Sequence, residues 1–115
     1  WVREPPGGHP ITGAYMEITN TSNAICEIIQ VSSPKVGRVE IHQTKHDNGT
    51  MRMRKIDSLK LRPGEQIILQ PGGLHLMLMD LADDLKAGDI LMLLLHFSDG
   101  TKQQVESSVR KGTYD

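Results

Sequence analysis

Polarity alternates strictly along Leu74-His75-Leu76-Met77-Leu78-Met79, directly after the turn signal Gln70-Pro71-Gly72-Gly73. Side chains of a strand point to opposite faces with period two, so this stretch predicts a strand whose Leu74, Leu76 and Leu78 face a core. The other face carries His75, Met77 and Met79, an imidazole and two thioethers that burial alone does not account for. Imidazole and thioether together form a ligand set that soft Cu(I) prefers, whereas Zn, Mg and Ca make little use of Met. The residues therefore point to a copper site on the outer face of one strand.

The rest of the chain reads as a single domain over residues 1–115, long enough to bury roughly two thirds of its unfolded surface. A net charge of −1 with intermixed signs leaves no basic footprint for nucleic acid, and aromatic residues for stacking bases are few. No apolar run reaches the roughly 20 residues of a membrane span, since residues 90–97 are too few and include His96. Opening at Trp1 with neither an initiator Met nor a signal-peptide apolar run, the sequence reads as a mature or trimmed polypeptide. One cysteine, Cys26, excludes an internal disulfide, a CxxC redox pair and a thiolate cluster.

Residues 1–11 form a lead-in segment whose Glu4-Pro5-Pro6-Gly7-Gly8-His9-Pro10 stretch joins a sheet poorly, because proline lacks the ladder donor. Strands are predicted over residues 12–19, 24–31, 36–44, 51–56, 66–70, 74–79, 90–97 and 101–109, with a tail at 110–115. Residues 81–88 (LADDLKAG) predict one short helical turn, and nothing else reads as helix. Short strands separated by turn signals at this spacing argue an all-β fold, an antiparallel sandwich or barrel.

Asp47-Asn48-Gly49-Thr50 is a strong hairpin signal. A loop of two or four residues sets Thr44 opposite Met53 and His46 opposite Met51, with His42 diagonal to Met53 on the same face. Diagonal neighbours lie about 7–8 Å apart, close enough for long side chains to converge on one ion. His42 and Met53 then form half a site, and His75 and Met77 the other half. Geometry alone also allows a rival set of His46, Met51, Met77 and Met79 nearer the hairpin tip.

The spacing of His42, Met53, His75 and Met77 is H-x10-M-x21-H-x-M, which resembles the motif of the periplasmic PCu(A)C-type copper chaperones. Ala14-Tyr15-Met16, Ile18-Thr19-Asn20, Met51-Arg52-Met53-Arg54, residues 71–79, Leu85-Lys86-Ala87-Gly88-Asp89 and Phe97-Ser98-Asp99-Gly100 are similar to that family as well. His42 is followed by Gln43 where some members have Met. The resemblance implies a cupredoxin-like Greek-key β-barrel that binds one Cu(I) through His42, Met53, His75 and Met77. It also implies a location outside the cytoplasmic membrane. The implied partner is a copper recipient such as the Cu(A) subunit of cytochrome c oxidase or another copper chaperone, met by a monomer without stable membrane insertion.

Taken singly, each of these residues has an ordinary reading: a strand His is usually hydrogen-bonded or at the surface, and a Met usually fills a core. That reading is assigned to His9, His46 and His96, and to Met16 and Met92 as packing residues. Cys26 is expected as a small buried apolar side chain, and Arg52, Arg54 and Lys55 as a solvated face. An electron-transfer cupredoxin needs a His2Cys site with a weak axial Met, and Cys26 lies in an early strand remote from His75 and Met77. A metal-free interaction module is the third class. No enzyme is expected, because no Ser/His/Asp or paired-carboxylate constellation is found.

Overall fold

The Asn48-Gly49 turn fixes the parity of the outer face. In the computed structural model, which describes residues 1–7, 10–82 and 84–112, Asn48 and Gly49 have φ of 49° and 80°. Two consecutive positive φ values make the two-residue hairpin turn whose twist matches that of its strands. His9, Asp83 and the end of the tail lie outside the described residues.

Eleven strands follow in chain order. They are β1 (Val2–Arg3), β2 (Thr12–Ala14), β3 (Met16–Thr19), β4 (Cys26–Ser32), β5 (Val36–Asp47) and β6 (Thr50–Ile56). The chain then gives β7 (Leu59–Leu61), β8 (Gln66–Leu69), β9 (Leu74–Leu81), β10 (Ile90–Phe97) and β11 (Lys102–Arg110). Nine of them form one sheet in the order β6-β5-β9-β2-β1-β11-β10-β4-β7, and β3 pairs with β8 in a second, two-stranded sheet. Neighbours far apart in sequence give the Greek-key crossovers. The Ser33↔Val36 bridge turns β4 straight into β5, so the large sheet curls into a nearly closed barrel, all-β and predominantly antiparallel.

Alternation selects the core. Leu76 and Leu78 on β9, Ile41 on β5 and Leu91, Leu93 and Leu95 on β10 are all buried within one cluster. Burial of each such side chain contributes about 1.5–3 kcal/mol, and their opposite parity is left to face outward.

Several expectations need correction. The strand expected over residues 12–19 breaks at Tyr15: β2 joins β9 and β3 joins β8. Tyr15 N–H instead donates to the Trp1 carbonyl at 2.8 Å, so the N-terminal segment captures the backbone where the chain changes sheets. That segment is also more than a lead-in, because Val2 is fully buried and β1 pairs parallel with β11. No helical turn forms among the described residues of 81–88. Leu81 continues β9 and Ala82 N–H donates to the Lys35 carbonyl, while Asp89 Oδ2 accepts from Lys86 N–H to close a turn. Strand β7 was not anticipated; it pairs with β4 as Cys26↔Leu61, Glu27↔Lys60 and Ile28↔Leu59.

Met92 lies half-buried on β10, on the parity opposite the buried leucines. Cys26 is half-buried rather than buried, with its Sγ 3.4 Å from Asn20 Oδ1. Met16 does pack against the core.

Leu78 is 0% exposed at the centre of β9. Leu78→Ala is expected to lower unfolding free energy by about 2–5 kcal/mol, through lost transfer energy and the cavity left behind. Urea unfolding followed by circular dichroism measures it, and a change under about 1 kcal/mol contradicts this view of the core.

Candidate metal centre

The two predicted histidines meet across a ladder that sequence reading did not supply. His42 on β5 is the direct register partner of His75 on β9. Their ring centroids are 5.9 Å apart in an edge-on arrangement with a 62° interplanar angle. His75 is buried, and the His42 side chain is only 16% exposed.

Each imidazole is fixed through one nitrogen. His75 Nδ1 lies 3.0 Å from the Gly73 carbonyl oxygen, and His42 Nε2 lies 2.9 Å from Glu40 Oε1. Carbonyl and carboxylate oxygens only accept, so both of these nitrogens carry the proton and donate. In the neutral rings the lone pairs therefore fall on His75 Nε2 and His42 Nδ1. Both atoms are buried and neither has a hydrogen-bond partner among the described residues. Orienting a histidine through its second nitrogen is the arrangement metal-binding histidines use.

Glu40 is itself restrained. Its Oε2 lies 3.4 Å from Arg38 Nε and 3.8 Å from Lys55 Nζ. The His42 N–H, reinforced by the charges of Arg38 and Lys55, holds the Glu40 carboxyl below its usual range.

The thioethers flank this pair. Met77 follows His75 by one step on the same face and sits between Glu40 on β5 and Gly13 on β2. Met53 on β6 opposes Thr44 and is diagonal to His42, as the two-residue turn requires. Met77 is half-buried, whereas Met53 is 59% exposed. The rival set is not brought together. His46 opposes Met51 at one end of the row, and Met79 opposes Arg38 at the other. Those positions are eight residues apart on β5, about 27 Å at ~3.4 Å per residue.

An aromatic wall closes the His75 side. The Tyr15 ring centroid is 6.5 Å from that of His75, and Trp1 packs 4.8 Å from Tyr15. The Arg3 guanidinium lies 5.4 Å from the Tyr15 ring, within cation–π range. A Cβ on Gly13 would come within 2.5 Å of the Tyr15 hydroxyl oxygen, so glycine there is what lets the phenol lie across β2. Glu40 could have been suspected from its shared parity with His42. The wall could not, because it depends on the break at Tyr15.

His96, His46 and Cys26 lie outside this pair. His96 Nε2 is satisfied by Ser32 Oγ at 2.8 Å, and His46 is exposed. Cys26 lines a cavity of about 510 Å³ together with Met16, Ile18, Leu61 and Phe97. None of His42, Met53, His75 and Met77 lines it. Among the described residues no three His, Cys, Asp or Glu side chains are grouped to hold an ion.

A family model described as "Putative lipoprotein LpqE-like" matches residues 1–109. The chain belongs to the LpqE-like family. This LpqE-like chain is 38% identical over 96 residues to "Uncharacterized protein RP573" of Rickettsia prowazekii, covering 83% of the chain and 53% of that relative. It is 31% identical over 111 residues to "Putative lipoprotein Lxx21020" of Leifsonia xyli, covering 96% of the chain and 66% of that relative. The chain thus spans about half to two thirds of the length of these curated relatives.

Among solved structures, the copper-bound PCuAC domain from PmoF2 superposes with a TM-score of 0.79 at 22% identity, covering 97% of this chain and 88% of that one. The solution structure of CuI-DR1885 from Deinococcus radiodurans gives 0.77 at 29% identity, covering 96% and 74%. The LpqE-like chain has the fold of PCuAC domains.

Nitrogen-detected NMR of the metal-free protein is expected to show the Nε2–H tautomer at His42 and the Nδ1–H tautomer at His75. Glu40→Ala should equalise the two tautomers at His42 and leave His75 unchanged. Because the Glu40 pKa is lowered in the fold, its contribution is present above the unfolded carboxyl pKa and fades only as pH falls through the lower folded value. An unchanged His42 tautomer in the variant refutes the orienting role of Glu40.

Proposed function

We propose that this LpqE-like domain is a Cu(I) metallochaperone. It holds one ion through His42, Met53, His75 and Met77 and delivers it outside the cytoplasmic membrane, towards the Cu(A) centre of cytochrome c oxidase. The observation that carries the reading is that the register partners His42 and His75 each bury a ring nitrogen, Nδ1 and Nε2, that has no hydrogen-bond partner among the described residues. A buried polar atom without a partner is unfavourable by about 1–3 kcal/mol, and a ligand that accepts both lone pairs removes that cost.

Half-buried Met77 and exposed Met53 supply soft donors beside them. Four neutral ligands leave the charge of the ion uncompensated, which favours Cu(I) over Cu(II). Thioethers also do not cross-link into disulfides in an oxidising compartment, where paired cysteines would. Exposure of Met53 leaves one ligand free to be exchanged for a donor from a recipient, which suits a carrier rather than an enzyme. The copper-bound PCuAC neighbours and the lipoprotein description of the family support the cargo and the extracytoplasmic location respectively.

A blue-copper centre is disfavoured by Cys26, which lies on β4 against Asn20 and Ser22 and lines the separate cavity.

Competition titration in a reducing buffer is expected to show one Cu(I) bound far more tightly than Zn(II). Met53→Ala and Met77→Ala should each weaken Cu(I) binding tenfold or more, about 1.4 kcal/mol. His42→Ala and His75→Ala should do at least as much, while Met79→Ala stays within a few-fold. Silence at both histidines refutes the proposal.

Cu(I) affinity should also fall on acidification, since only neutral imidazole coordinates and protons compete with the metal for it, while thioethers take up no proton. Affinity that stays flat between pH 7.5 and 5 removes the histidines from the ligand set.

A further inference from the structure

Beyond the four candidate ligands, one soft pair remains on the same face. His46 on β5 directly opposes Met51 on β6 beside the hairpin turn. Met51 is 65% exposed and Met53 59%, whereas Met16, Met77, Met79 and Met92 are all half-buried. His46 makes no hydrogen bond or ion pair among the described residues. Core filling, the usual reason for a methionine, therefore explains neither exposed thioether.

The register adds a geometric relation. Met53 opposes Thr44, so it is diagonal to His42 in one direction and to His46 in the other. Directly opposed side chains start about 5 Å apart and diagonal ones about 7–8 Å. An unbranched thioether with three rotatable bonds covers either diagonal. Between the two histidines on β5 this face carries only Thr44, a short side chain that is itself buried. Nothing bulky on β5 separates the two positions Met53 can serve.

We propose that His46 and Met51 form a second, transient Cu(I) site at the hairpin tip, and that Met53 hands the ion between this site and His42. The proposal rests on the copper reading above and adds a route to it. Copper stays Cu(I) and every ligand is neutral, so neither an electron nor a proton moves in the exchange.

Occupancy of the outer site is short by design of its surroundings. It is exposed to water, which competes for the ion. Its nearest charged neighbours are Lys45 and Arg52, paired on the other face, and Asp47, which follows His46 on β5, whereas Lys55 stands further along β6 opposite His42. The imidazole pair, with two buried unpartnered nitrogens among the described residues and half-buried Met77 beside it, is the better resting place. Thioether exchange through Met53 replaces one difficult step, loss of the ion from a half-buried site directly into solvent, by two short ones.

The test uses the His46→Gln, Met51→Leu double variant, which keeps the Asn48-Gly49 turn and alters only exposed side chains. Two quantities are measured on the same preparation: equilibrium Cu(I) affinity by chelator competition, and the stopped-flow rate of Cu(I) transfer to excess bicinchoninate. The expected result is affinity within about threefold of the unmodified chain with transfer slowed about tenfold or more.

Met53→Leu should lose affinity as well as the normal transfer rate. An unchanged transfer rate in the double variant overturns the transit site while leaving the copper reading intact. Affinity lost in the double variant in proportion to its rate overturns it too, because His46 and Met51 would then be holding ligands. An unmodified chain that binds no Cu(I) fails the functional reading itself, and the transit site with it.

Discussion

The direct opposition of His42 and His75 in the β5–β9 ladder is the interaction on which the outer face depends. Two imidazoles placed side by side and shielded from water leave two lone pairs unsatisfied. That arrangement persists because each ring is tethered through its other nitrogen, one to the Gly73 carbonyl and one to Glu40. It also persists because the alternate residues of the same strands, Ile41, Leu76 and Leu78, are locked into the core. A strand cannot rotate its outer residues away without lifting its inner ones out, since a one-residue slip moves every side chain to the opposite face. The hydrophobic core thus holds an unfavourable polar pair in place.

The same economy accounts for the break at Tyr15. A continuous strand over residues 12–19 would leave the His75 side of the face open. Splitting it sends Met16 and Ile18 to pack against the core from the small sheet and folds the Tyr15 ring across Gly13 towards His75. Trp1 and Arg3 then stack on Tyr15 from outside. One backbone change therefore both sets the small sheet against the core and walls the candidate centre on the side away from the hairpin. The Met53 side stays exposed, which gives the centre one shut flank and one open one.

Much of this was legible in the residues. The alternation at residues 74–79 predicted β9 and its two faces, and Asp47-Asn48-Gly49-Thr50 predicted the hairpin with the observed Thr44↔Met53 and His46↔Met51 pairs. Such features are local: they follow from period two and from turn stereochemistry. What could not be read was non-local. The His42↔His75 pairing depends on how β9 docks beside β5, which no short-range pattern encodes. Residues 81–88 have helix-compatible composition, yet their backbone is drawn into contacts with Lys35 and Asp89. Cys26 was expected to be buried as a small apolar group, but the polar Asn20 and Ser22 side chains meet its sulfur in the lining of a cavity.

The chemistry of the face also bears on which ions the proposed centre would disfavour. Hard cations need oxygen donors, several of them and free to rearrange. The carboxylate nearest the histidine pair is Glu40, and both its oxygens are engaged: Oε1 by the His42 N–H, and Oε2 by Arg38 and Lys55. The surface ion pairs to Arg38 and Lys55 add little stability of their own, since both cations are well exposed. Their effect is on availability. An oxygen already shared between two cations is a poor ligand for a third, and turning Glu40 towards a metal would release His42 from its orientation. The residue that aligns one proposed ligand is thereby withdrawn as a hard one. If the proposed centre holds copper, its selectivity follows from the hydrogen-bonding of Glu40 as much as from the presence of methionine.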